Sequence, residues 1–284
     1  MGGVALDYRV PAEDLQPFVT LFYHFRADVP VFDDIERADH AQLRFRLSRG
    51  DGDYRFPDGS SQPATAVHIL GPTTGAIRTR AAGPVEVVGL GLQPAGWAAM
   101  LGIDASTMHN RVVDGALLFG DGALEALVAM RNAPGDDAKM AFLEGVVRRM
   151  VADRGAREAG FAQAIDAWLT SDTSPDIDDL VALTRLSRRQ IERRCKALYG
   201  APPKVLARKY RALRAAVALA SGHSSADILI GEGFYDQSHL IRELKQFTGL
   251  TPRQIRTEPG VLARLTIDQR HALSGMVSPL ISET

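Results

Sequence analysis

The sequence predicts an α+β chain of 284 residues in two parts: an antiparallel β-rich N-terminal half with flanking helices, then an all-α half. Three observations predict it. Short apolar runs alternate at period two between Pro17 and Leu92, and the period becomes helical after Pro94. Further on, a shift of 49 positions lays one capped helix over another.

In the first half, "QLRFRL" sets Leu43, Phe45 and Leu47 against Arg44 and Arg46, and "FPDGSS" offers an Asp58-Gly59 turn. "TAVHIL", "AIRTRA" and "VEVVGLGL" are further short strands separated by Gly and Pro, which makes an antiparallel barrel or sandwich. "PAGWAAML", "GALEALVAMR" and "DAKMAFLEGVVRRMVADR" then read as helices. "DRGAREAG", Asp153 to Gly160, is the linker candidate, followed by a helix from Phe161 to Leu169.

The duplicated unit comes next. In "LSRRQIERRCKALYGAPP" Ser187 and Gln190 form a capping box, Leu186 and Ile191 a hydrophobic staple, and Ile191, Cys195 and Leu198 an apolar stripe. In "GFYDQSHLIRELKQFTGLTP" Asp236 caps, Tyr235 and Leu240 form the staple, and Leu240, Leu244 and Phe247 form the stripe. Gly200 and Pro203 end the first as Gly249 and Pro252 end the second. Upstream, "DDLVALTRL" and "DILIGEGFY" align as a short helix and tight turn, so each copy reads as a helix-turn-helix. Between the copies, Pro203 to about Ala220 has no breaker and reads as one helix about 27 Å long, comparable with the roughly 34 Å between successive major grooves.

Charge points the same way. Val181 to Arg256 holds 15 Lys and Arg against 5 Asp and Glu, a net of +10, whereas the whole chain stands at -1. A basic module on an acidic one suits phosphate neutralisation, which a pI of about 6.7 conceals.

On these residues Asp178 to Arg256 resembles the C-terminal DNA-binding domain of AraC/XylS-type transcription regulators. The resemblance rests on Ser187, Arg189, Ile191, Arg193, Lys196, Gly200 and Pro203, on Arg211 and Ala215 in the linker helix, and on Ile228, Gly233, Phe234, Gln237, Ser238, His239, Arg242, Lys245, Gly249, Thr251 and Pro252. Cys195, Leu240 and Leu244 stand where the family usually has Phe, and Leu229 replaces a small residue; these swaps change packing volume rather than surface chemistry.

The resemblance implies a cytoplasmic DNA-binding regulator, with double-stranded DNA as partner, RNA polymerase as a candidate partner and a homodimer as the expected assembly. Arg188, Arg189, Gln190, Arg193 and Arg194 are expected to face DNA in the first unit, and Gln237, Ser238, His239, Arg242 and Lys245 in the second. Donors nearest each helix start are assigned to bases, and Arg194, Lys196, Arg242, Lys245, Arg208 and Lys209 mostly to phosphates.

The N-terminal half, through "VPAEDLQPFV", "HILGPTTGAIR", "VVGLGLQPAGWAAMLG" and "RVVDG", resembles the sensor halves of some such regulators and is expected to be a cupin-like barrel. The division expected is 1–152 for sensing and dimerisation, 153–160 linker, 161–257 DNA binding and 258–284 extension, with Leu124 to Val151 as the dimer face. Tyr23, His24, Arg44, Arg46, His68, Arg78 and Trp97 are the candidates for holding an effector.

A cupin-type metal enzyme and a protein-interaction module are the alternatives. His24, His40, His68 and His109 are scattered without an HxH pair, so neither a metal site nor a cofactor is assigned. One cysteine excludes a disulfide framework and a zinc-thiolate methyl acceptor, and no window holds the roughly twenty apolar residues of a membrane helix. "GVLARLTIDQRHAL" in the tail reads as a short helix.

Overall fold

The computed structural model describes residues 3–152, 157–223, 225–231 and 233–284; of the linker candidate, residues 153–156 lie outside this set. The strands are β1 Val4–Arg9, β2 Val19–Ala27, β3 Val31–Glu36, β4 Gln42–Arg46, β5 Gly52–Arg55, β6 Ser61–Pro63, β7 Val67–Leu70, β8 Ile77–Ala82, β9 Val85–Leu92 and β10 Val112–Asp114. They form two antiparallel sheets, a large one ordered β1-β2-β9-β4-β7-β10 and a small one ordered β3-β8-β5-β6. The expected barrel is thus a pair of sheets rather than a closed ring, and its helix-flanked antiparallel architecture is otherwise as read.

Helices α1 Pro94–Met100, α2 Gly115–Phe119, α3 Asp121–Asn132 and α4 Asp136–Val151 follow the strands. Leu127, Met130, Leu143 and Val147 pack with Phe22, Leu43, Phe45, Val88 and Leu90 of the large sheet in one core. The other face of that sheet meets the small sheet. This is why all five residues of β4 are buried: Leu43 and Phe45 meet the helices, while Gln42, Arg44 and Arg46 line the space between the sheets.

The all-α half comprises α5 Ala159–Ser171, α6 Ile177–Thr184, α7 Arg188–Tyr199, α8 Pro203–Ala220, α9 Ala226–Gly231, α10 Gln237–Thr248 and α11 Pro252–Thr257. Ser187 caps α7 in a full capping box with Gln190, and Asp236 caps α10 through the His239 amide. Tyr235 is not the staple: it is 90 % exposed, and the apolar residue turned inward at that entry is Phe234. α7 and α10 end at Gly200 and Gly249, both left-handed, with φ of 73° and 76°. In the tail, α12 Val261–His271 and α13 Pro279–Ser282 complete the chain.

α12 leaves the all-α half and lies on β1 and β3, with Leu262 and Leu265 against the cluster of Leu6, Phe25, Phe32 and Val85. α13 returns to α5, placing Leu280 beside Phe161, Ile165 and Trp168. Among the described residues no helix is long and apolar enough to cross a membrane.

Candidate functional site

The stripes Ile191, Cys195 and Tyr199 on α7 and Leu240, Leu244 and Phe247 on α10 are buried, which turns the polar faces outward. Burial pushes the Cys195 thiol up to about 12, the behaviour of a small core residue. Exposed on α7 are Arg188, Arg189, Gln190, Arg193 and Lys196, and on α10 Gln237, Ser238, Arg242 and Lys245. His239 is half-buried, its Nδ1 accepting from the Tyr235 amide at 3.1 Å.

Several of these donors are engaged. Arg188 donates to Asp178, at 2.5 Å from Nη2, and Lys196 pairs with Glu192 at 2.9 Å. Gln190 spends its carbonyl oxygen on the Ser187 amide and hydroxyl, leaving its NH2 group outward. Arg194 turns back to α5, pairing with Glu158 and stacking on Phe161 at 4.1 Å. Arg208 donates to Glu243 and Gln246 at 2.7 and 2.9 Å.

Lys209 is displaced furthest from its expected role. It is 5 % exposed and donates to the Asp39 and Thr73 carbonyls at 2.8 and 3.3 Å, so it fastens α8 to the N-terminal half instead of facing phosphate. Burial lowers its ammonium to about 8.

The sequence reading missed two residues here. Glu243 is 3 % exposed and is the hub on which Arg208 and Arg211 of α8 converge from α10. Its acidic side chain among basic neighbours, four residues after His239, was the available signal. Tyr235 stands exposed at the mouth of α10, where its ring can meet a backbone sugar or a base.

Both recognition helices rest their C-terminal ends on the N-terminal half. A Cβ on Gly200 would meet Pro72 Cγ at 2.7 Å, and one on Gly249 would meet Ile35 Cγ2 at 2.6 Å. The Ala38 amide donates to the Phe247 carbonyl at 2.7 Å, and the Ala76 amide to the Gln246 carbonyl at 2.8 Å. The N-terminal, exposed ends are therefore held in one frame.

Between the sheets lies a cavity of about 110 Å³. Tyr23, Arg44 and Arg46 line it. Arg44 is bidentate to Glu36, at 3.0 and 2.6 Å, and donates to Gln42 and Tyr54. Arg46 donates to the Ala64 and Gly50 carbonyls at 2.6 and 2.8 Å. His68 sits behind Tyr54, its Nδ1 donating to the Thr65 carbonyl and its Nε2 accepting from the Tyr54 hydroxyl at 2.9 Å. Burial pushes it down to about 3, so it is neutral.

The other effector candidates lie elsewhere, for reasons of strand parity. His24, next to Tyr23 on β2, faces the opposite side and binds Glu86 at 3.0 Å. Arg78 is on the outer face of β8, paired with Asp33, and Trp97 is core, donating to the Ile103 carbonyl at 2.7 Å. The cavity lining that the sequence reading missed comes from β1, β3 and the tail: Leu6, Phe32, Arg37, Leu262 and Arg270 among them.

Residues 180–258 match the family model described as "Helix-turn-helix domain", and residues 8–114 match one described as "Domain of unknown function (DUF6597)". No curated protein matches the chain. Among solved structures it is similar to an apo lysine-to-alanine variant of ToxT from Vibrio cholerae strain SCE256, at 12% identity over 87% of this chain and 98% of that one, with a TM-score of 0.45. Wild-type ToxT of the same strain with unsaturated fatty acid bound gives 11% identity over 88% and 98%, with a TM-score of 0.45. The AraC-like transcriptional activator CuxR gives 15% identity over 74% and 86%, with a TM-score of 0.34.

Two capped recognition helices in one basic domain, each with its donor face outward, define a DNA-binding protein of the helix-turn-helix class. The C-terminal domain is of the AraC type, and the chain is a transcription regulator of that kind.

Proposed function

We propose that one chain reads two adjacent major grooves, with Arg189 and Arg193 of α7 and Gln237 and Ser238 of α10 at base edges. Arg188, Lys196, Arg242 and Lys245 meet phosphates, and His239 and Gln190 position the helix starts. Arg194, Arg208 and Lys209 act inside the protein. The observation that carries this is the common frame: both recognition helices stand on the N-terminal half by their C-terminal ends, which leaves their first turns free together.

A small molecule in the cavity between the sheets is the effector in this reading, because the cavity adjoins the segment Ile35 to His40 on which α8 and α10 rest. Residues 1–152 sense, 161–257 bind DNA, and 258–284 join the two. The chain works in the cytoplasm as a homodimer through α2 and α3, where Leu117, Leu124 and Val128 are 82, 44 and 53 % exposed. Light scattering after gel filtration checks this: a monomer at micromolar concentration rejects the dimer.

Selection of genomic fragments with purified protein at about 150 mM salt tests DNA reading. The expected result is a motif of two short blocks about one helical turn apart. Uniform, strongly salt-dependent binding with no motif rejects base reading.

A further inference from the structure

One corner of the cavity carries more positive charge than its neighbours balance. Arg37, Lys209 and Arg270 converge there on a single free carboxylate among the described residues, Asp39, since Glu36 is taken by Arg44 and Thr79. Arg270 holds Asp39 at 2.5 Å. Arg37 approaches Asp39 only to 3.7 Å, and none of its three guanidinium nitrogens, all buried, has a hydrogen-bond partner among the described residues. Guanidinium donors are seldom left unpaired out of water, so an unengaged fork in a lined cavity is the mark of a missing acceptor.

The rest of the lining says what else the ligand carries. Leu6, Phe25, Phe32 and Val85 give an apolar wall, and the polar groups on the far side, Arg44, Tyr54 and Gln42, are already bonded to one another. The tail supplies the remaining side. Leu262, Ala263, Thr266 and Arg270 of α12 line the cavity, and the Leu262 amide donates to Asp34 at 2.8 Å.

We propose that the cavity binds a compact monocarboxylate, its carboxylate on the Arg37 guanidinium and its apolar body against Leu6, Phe25 and Phe32, with α12 as the lid. This rests on the effector reading above and deepens it. The volume restricts the size, because an apolar cavity of roughly 150 Å³ accommodates a benzene ring. A ligand on Arg37 also competes with Asp39 for the local cations, so its arrival is felt at Arg270 on the lid and at Lys209 on α8.

The test is calorimetric titration of the full chain with benzoate, phenylacetate and hexanoate, and with benzamide and hexanamide as neutral counterparts. Wild type is expected to bind at least one acid about ten- to hundredfold more tightly than its amide. Arg37→Met should erase that preference and Arg37→Lys restore part of it. A melting curve shows that each variant folds. Hydrogen exchange in 261–271 should slow on adding the acid that binds.

Acid binding indifferent to Arg37→Met, or amides binding as well as acids, overturns the carboxylate assignment while leaving the effector reading intact. If neither acids nor amides bind at millimolar concentration, the ligand class is wrong; a wider metabolite panel that also fails to bind removes the effector reading too.

Discussion

The two helix-turn-helix units are built on one pattern but anchored by different physics. The first unit is backed by an apolar cluster: Ile191 and Cys195 of α7 lie against Phe161, Ile165 and Trp168 of α5, with Leu280 from the tail closing the side. The second combines apolar packing with a buried ionic hub, Glu243 between Arg208 and Arg211, and its cluster extends into the N-terminal half through Ala38 and Ile35. The second unit is therefore wired to the cavity segment, whereas the first is wired to α5 and the tail. A signal from the cavity has its shortest route into α10.

The largest expected break in this comparison is Glu243→Ala, which leaves two arginines facing an empty buried position. It should cost about 3 to 5 kcal/mol of stability by urea denaturation, with loss of specific DNA binding. Asp166 distinguishes the first unit. Burial on α5 raises its carboxyl to about 7, so the folded state prefers the protonated form. Its destabilisation is absent below the unfolded value of about 4, grows as pH rises, and is complete above about 7. Asp166→Asn should therefore add about 2 kcal/mol at pH 8, after discounting its partial exposure, and nothing at pH 4. Thermal melts at both pH values check it. The smallest effect is Arg194→Ala, which removes a half-exposed ion pair and a stacking contact on Phe161; about 1 kcal/mol or less is expected in the same denaturation assay, with the salt dependence of DNA binding unchanged. A salt slope flattened by about one unit would return Arg194 to the phosphate contacts.

The capped recognition helices and the linker helix were legible because their signals are local: Ser187 with Gln190, Asp236 before α10, Pro203 at one end and Gly222 at the other. β1 and β3 were not read, since "VALDYR" is short and "VFDDIE" places two acids side by side in what becomes a half-buried strand. Lys209 could not be assigned from sequence, because on a basic helix nothing local separates a lysine facing phosphate from one facing two carbonyls more than a hundred residues away. Arg78 and His24 depended on strand parity, which a one-residue slip inverts. The role of the tail emerges only when α12 is seen on β1 and β3, since its pattern alone is that of any amphipathic helix.

The measurement that tests the central claim most directly is the fragment selection repeated with Arg189→Ala and with Gln237→Ala. Two independent readers in one frame predict that each substitution costs about 1 to 3 kcal/mol at positions in its own block and leaves the other block intact. If both variants enrich the wild-type motif unchanged, or both lose the same block, the two units do not read adjacent grooves separately and the account fails.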